Sequence, residues 1–293
     1  MRAHAGAALV ALALAGATGC GEEDARPAPG SGGGGSGAGG AGAGTCAQEV
    51  DEGALEDHAG GRVGGLGEAA QGILGGVLAG GDPAVVAINT LDVDCQRAGV
   101  PACTGSLIGP DRVLTAAHCV GKLPAASFVV LFGDVSDPGR GELGAGLEGL
   151  LFRVREIRVH PEFNALTLAH DAAVLRLEGV APVAPVVLGD QLDAAPERGM
   201  AARVVGFGRA EAPPPFAKRE GTVAVTEVSA VELVYESAPA MTCDGDSGGP
   251  VFMTVGDEER LWGVTSRGDA DCAKHGVAVR VDALPASLLT EAW

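Results

Sequence analysis

Three short segments hold residue types able to do acyl-transfer chemistry. Cys243-Asp244-Gly245-Asp246-Ser247-Gly248-Gly249-Pro250 sets a serine among glycines. The backbone there can turn tightly, and the N–H groups of Gly245 and Ser247 can point at one spot, as an oxyanion site requires. Leu114-Thr115-Ala116-Ala117-His118-Cys119 ends an apolar stretch on a histidine, a setting in which a neutral imidazole can accept a proton. His170-Asp171-Ala172-Ala173-Val174-Leu175-Arg176-Leu177 opens an apolar run with a carboxylate. A carboxylate buried at that point must be paired, and an imidazole N–H is a suitable donor. Ser247 is thus the candidate nucleophile, His118 its general base and Asp171 the group that orients the base.

Taken singly, each segment also has a structural reading: a serine in a glycine-rich turn, a hydrogen-bonded core histidine, an aspartate capping a strand. Their chain order, His then Asp then Ser, sets them apart from a chance collection. It is one of three known triad orders, distinct from those that begin with Asp or with Ser.

The elements that must hold these side chains are short apolar runs broken by Gly, Pro, Asp and Asn. They include residues 84–88, 127–132, 152–159, 172–177, 203–206, 222–228, 261–265 and 276–281. Their length, spacing and β-branched content predict an all-β sandwich or a pair of barrels. One helix is expected, at Pro285–Trp293, where proline suits a first turn and Leu288, Leu289 and Trp293 can dock on the body.

Residues 73–293 resemble the trypsin-like serine peptidases through Thr115-Ala116-Ala117-His118-Cys119, Gly245-Asp246-Ser247-Gly248-Gly249-Pro250 and the aspartate strand. The resemblance implies two six-stranded antiparallel Greek-key barrels packed together with a short C-terminal helix. It also implies endopeptidase activity on proteins or peptides through an acyl-enzyme, with no metal or organic cofactor. It pairs Cys103 with Cys119 and Cys243 with Cys272. Ile73-Leu74-Gly75-Gly76 resembles the mature start of these enzymes, so a cut after Gly72, by an activating protease or by self-cleavage, would free an amino group to pair with Asp246. A competing cut at Arg62-Val63 has the more familiar basic residue before it; Ile73 stands at the better distance from Pro83 and the following strand.

The primary pocket implied by the family has Met241 at its floor, Thr242 beside it, and Ser266-Arg267-Gly268 and Gly276 in its walls. Trypsin-like specificity needs an aspartate at the floor. Met241 there argues for small or medium apolar side chains before the scissile bond, with Gly268 and Gly276 leaving the slot open. Arg267 replaces the aromatic residue usual on the substrate-strand edge and points to a third subsite favouring acidic residues.

Of the 293 residues, the first 72 are rich in Gly, Ala and Ser, leaving one folded domain's worth of core-forming sequence. Residues 1–19 read as an export signal: a short polar start and an apolar run too short to span a bilayer. Ala17-Thr18-Gly19-Cys20 resembles a lipoprotein processing site. Either Cys20 is lipidated, anchoring an envelope lipoprotein in the outer membrane or at the cell surface, or the signal is an ordinary one and the protein is secreted. Residues 20–44 form a flexible linker, with roughly 25 to 30 Å of root-mean-square reach, and 45–72 a propeptide. Cys46 and Cys95 remain, either bridged to each other, which would keep the tether attached after cleavage, or exposed. A net charge of −18 excludes a nucleic-acid footprint and leaves membrane contact to the lipidated N-terminus alone. The rival reading from another class is a noncatalytic, protease-like peptide-binding module; an esterase would use the same chemistry on a different substrate.

Overall fold

The computed structural model describes residues 72–91, 98–136, 150–189, 195–208, 214 and 216–290. The export signal, Cys20, the linker, the propeptide with Cys46 and the Arg62-Val63 site, and also Cys95 and Trp293, lie outside the described residues.

Among the described residues, thirteen strands and one short α-helix follow in order. They are β1 (Val77–Leu78), β2 (Val85–Leu91), β3 (Ala98–Gly109), β4 (Arg112–Thr115), β5 (Phe128–Phe132), β6 (Leu150–Val159), β7 (Ala173–Leu177), β8 (Ala201–Gly206), β9 (Arg219–Val228), β10 (Glu232–Ser237), β11 (Pro250–Val255), β12 (Glu258–Gly268), β13 (Gly276–Arg280) and α1 (Ala286–Leu289). Strands β2-β3-β4-β7-β6-β5 close into one antiparallel barrel. Strands β8-β9-β10-β13-β12-β11 close into a second, with β1 added at the start of β9. In both barrels the third strand neighbours the sixth, so one Greek-key connectivity is used twice. The fold is the all-β pair of six-stranded barrels expected from the resemblance.

Patterning explains the elements. In β10 only Leu233 and Tyr235 are buried, a period-two alternation that turns one face inward. In β7 every residue but Arg176 is buried, because the strand is covered on both faces. Ile88, Leu107, Leu114, Leu175 and Leu177 are fully enclosed in the first barrel, and Val204, Val223, Leu233, Tyr235 and Trp262 in the second. Truncating any of the leucines to Ala would cost about 2 to 5 kcal/mol. The C-terminal helix is shorter than predicted. It begins after Pro285 and ends at Thr290, whose backbone is extended and whose hydroxyl donates to the Ala286 carbonyl (2.7 Å). Leu288 is buried against the first barrel.

Polar links join the barrels beside the motif segments. Thr104 of β3 donates its N–H to the Ser247 carbonyl (2.8 Å) and its hydroxyl to the Gly245 carbonyl (2.9 Å). The same hydroxyl accepts from the Phe207 N–H (3.0 Å). Farther off, Arg203 of β8 reaches Asp82, which precedes β2, as well as Glu220 and Glu259. This set of carboxylates holds the guanidinium charged.

Candidate active site

β4 delivers the histidine. The strand ends at Thr115, and a single 3₁₀ turn, Ala117–Cys119, follows. A Cys103–Cys119 disulfide (S–S 1.99 Å, Cα–Cα 6.0 Å) ties that turn back to β3. Asp171 stands just before β7, the strand paired with β4, so the ladder itself brings the carboxylate to the histidine. It is fully buried. Its oxygens accept three hydrogen bonds: from the His118 backbone N–H (2.8 Å), from His118 Nδ1 (2.6 Å) and from the Ser266 hydroxyl (2.6 Å). Those donors offset the cost of burying the charge. They also select the tautomer: Nδ1 carries the hydrogen, and Nε2 is left as the proton acceptor.

The serine loop is shaped by backbone conformation. Asp246 N–H bonds to the Cys243 carbonyl (3.0 Å) and Gly249 N–H to the Asp246 carbonyl (2.9 Å), with Gly245 and Gly248 at positive φ (90° and 80°). Gly248 is required twice over, since a Cβ there would also overlap the Thr115 hydroxyl and the Thr104 carbonyl. The Gly248 N–H donates to the Thr265 carbonyl (2.7 Å). The amides of Gly245 and Ser247, by contrast, have no acceptor among the described residues.

Asp246 points away from the serine into the second barrel and is fully buried. Its carboxylate accepts from the Gly208 and Cys243 N–H groups (3.0 Å each). Burial nevertheless dominates and pushes its pKa up to about 7. Gly72 packs on Gly208 beside this carboxylate: a Cβ on Gly208 would meet both Gly72 Cα (2.8 Å) and Asp246 Oδ1 (2.7 Å). The next two residues are also seated, Ile73 buried beside Met241 and Leu74 exchanging both backbone hydrogen bonds with Met241 (2.7 and 3.0 Å).

The residues expected to form the pocket meet mixed surroundings. Met241 is buried in the second core with Ile73 and Ala240, and Thr242 is buried nearby. A Cys243–Cys272 disulfide (S–S 2.02 Å) braces the segment. Gly268 faces the His275 carbonyl. Asp269 accepts from the N–H groups of Ala273, Lys274 and His275, which hold its carboxyl well below the usual range and fix the loop before β13. Gly276 does not face open space, because the ring of Tyr235 stands where its side chain would be. Arg267 is bound bidentately by Glu232 (2.8 and 3.0 Å) and donates to the Leu168 carbonyl (3.3 Å). Its charge is therefore met within the protein, which removes the basis for an acid-seeking third subsite.

Three functional contacts were not read from the sequence: Ser266 as a donor to Asp171, Thr104 as the clamp on the serine loop, and Tyr235 against Gly276. Only Tyr235 left a signal, as the chain's single tyrosine in an alternating segment.

Among the described residues two groups have metal-ligand chemistry, and neither is arranged to enclose an ion. Cys103 and Cys119 beside His118 share a disulfide. His160 and His170, with Glu162, have stacked rings (centroids 4.8 Å apart, 20° between planes), so their in-plane lone pairs run nearly parallel. Nδ1 of His160 already accepts the Glu162 N–H (3.1 Å). The stack shapes the turn that presents Asp171.

A two-barrel fold carrying a serine loop, an imidazole held by a buried carboxylate and two unengaged amides defines a serine-type endopeptidase. The family model for trypsin matches residues 78–286. The chain is 34% identical over 220 residues to a trypsin from Saccharopolyspora erythraea, spanning 69% of this chain and 88% of that protein. It is 30% identical over 214 residues to a tryptase from Mus musculus (61% and 74%) and 27% identical over 236 residues to a vitellin-degrading protease from Bombyx mori (71% and 82%). The chain belongs to the trypsin family.

Proposed function

We propose that this endopeptidase is an exported, envelope-tethered proenzyme that cuts proteins or peptides after small or medium apolar residues. His118 takes the proton of Ser247 as Oγ attacks the scissile carbonyl. The Gly245 and Ser247 amides stabilise the oxyanion, Asp171 holds the resulting imidazolium, and His118 returns the proton to the leaving amine. Water, activated by the same imidazole, then releases the acyl group. The single observation that carries this reading is the three-fold hydrogen bonding of the buried Asp171, which commits Nδ1 of His118 as donor and leaves Nε2 for the serine.

Maturation follows by a cut between Gly72 and Ile73. The seating of Ile73 and Leu74 beside Met241, and of Gly72 beside Asp246, supports this site over Arg62-Val63. The new ammonium would meet a buried carboxylate otherwise satisfied only by two amides. Upstream, residues 1–19 serve as signal peptide, Cys20 as lipid anchor, 20–44 as linker and 45–72 as propeptide; a Cys46–Cys95 bridge would keep these attached. The hydrogen bonding of Asp171 and the Gly245 and Ser247 amides, which have no acceptor among the described residues, support catalysis over a noncatalytic module.

Protein beginning at Ile73, profiled on a peptide library, is expected to cleave after small apolar residues, Ala first, and to be blocked by Ser247→Ala. Arginyl or lysyl substrates cut faster than these would sink the specificity reading. Active protein that begins at Val63 would overturn the maturation site.

A further inference from the structure

We infer that Tyr235 is the specificity-determining residue of the primary pocket: its phenol fills the space that Gly276 leaves open and restricts the residue before the scissile bond to Gly, Ala or Ser. The inference rests on the serine-peptidase reading above and narrows its substrate class.

β10 and β13 are antiparallel neighbours with Tyr235 directly opposite Gly276 and Leu233 opposite Ala278. Directly opposed residues project from the same face of the sheet, so Tyr235 and Gly276 share the inward face of β10 and β13. Glycine there leaves a gap, and the tyrosine ring folds over it. A Cβ on Gly276 would overlap the ring carbons and lie 2.6 Å from the hydroxyl oxygen. The hydroxyl is anchored in turn to the Thr242 hydroxyl (2.7 Å), beside the pocket floor and five residues ahead of Ser247. The ring thus runs from Gly276 to Thr242, two residues of the expected pocket, and it is fully buried.

Such a ring is not easily displaced. Swinging it out would break a buried hydrogen bond and expose both the phenol and the apolar lining of Met241 and Ala278 to water. Met241 adds nothing to the depth, since it is packed among Ile73 and Ala240. On this proposal the space left beside the ring takes a side chain of a methyl group or less. Branched or aromatic side chains would compete with the phenol for one volume. The same limit admits glycine, so the bond after Gly72 falls within the enzyme's own specificity.

The test uses the chain processed to Ile73, with active sites titrated by a fluorophosphonate, and compares tetrapeptide anilides ending in Ala, Leu and Phe. Wild type is expected to favour Ala over Phe by about 100-fold in kcat/KM, the scale on which a filled pocket discriminates. Tyr235→Ala should raise the Phe and Leu rates and reverse that order, whereas Tyr235→Phe, which keeps the ring and loses only the Thr242 bond, should keep the wild-type order. A titrated wild type that cuts after Leu or Phe as fast as after Ala overturns the assignment, and that result does not depend on any variant folding. An unchanged profile in folded Tyr235→Ala does the same. A wild type with no titratable serine would sink the peptidase reading itself, a distinguishable failure.

Discussion

Asp171→Asn is expected to lower kcat by about 10⁴-fold with KM little changed. The amide has the size of the carboxylate and can occupy its place, but it carries no charge and only one acceptor oxygen. Three donors now converge on Asp171: the His118 N–H, Nδ1 of His118 and the Ser266 hydroxyl. Asparagine cannot accept from all three. If its amide nitrogen faces the ring, Nδ1 becomes the acceptor and Nε2 takes the hydrogen, so His118 points a donor at Ser247 instead of a base. That tautomer error has an effect of this order in serine triads. Burial sharpens the result, because no water replaces the lost charge beside the imidazolium. Steady-state kinetics on titrated enzyme checks it. A loss confined to KM would show that Asp171 shapes the substrate site and leaves the base untouched.

Asp246→Asn has two expected effects of opposite sign, separated by the state of the chain. In the uncut protein burial holds the carboxyl at about 7, well above its ordinary value of 3.8. Between those values the folded chain keeps a proton that the unfolded chain has released. This group's contribution to stability is therefore full below pH 4 and is lost as pH rises towards 7, by about 4 kcal/mol at 1.36 kcal/mol per unit. Asparagine removes that slope, so uncut Asp246→Asn should gain stability relative to the uncut parent as pH rises from 4 to 7. Once Ile73 carries a free ammonium, the balance inverts. On the proposed maturation the carboxylate would become the partner of a buried cation, and removing it should lower kcat/KM by about 10² to 10⁴-fold, the scale of a broken buried ion pair at roughly 3 to 5 kcal/mol. Denaturant melts of the uncut forms across this pH range, and kinetics of the cut forms, read the two effects separately. Parallel pH profiles for uncut parent and variant would contradict the first, and undiminished activity of the cut variant the second.

The candidate catalytic segments were legible in the sequence because the chemistry they suggest leaves little latitude in residue type. Gly248 has a positive φ and no room for a Cβ, and His118 and Asp171 sit at the ends of strands whose apolar content marks them. The length, spacing and β-branched content of the apolar runs carried the fold class in the same way. What the sequence left hidden lies in cross-strand register. Gly276 reads as an open wall until β10 places Tyr235 opposite it. Arg267 reads as a free cation until Glu232, from that same strand, is seen to bind both ends of its guanidinium. Ser266 reads as a pocket wall, yet its hydroxyl reaches across from the second barrel to a carboxylate in the first. Each depends on two segments far apart in the chain, and no local pattern encodes which residues will face each other.

Activation of Ser247 by His118 is tested most directly by reaction of the processed protein with a fluorophosphonate, followed by mass mapping of the adduct. One adduct per chain is expected, on Ser247, with none in Ser247→Ala and strongly slowed labelling in Asp171→Asn. Absence of labelling in the processed wild type, or an adduct that persists in Ser247→Ala, would contradict it.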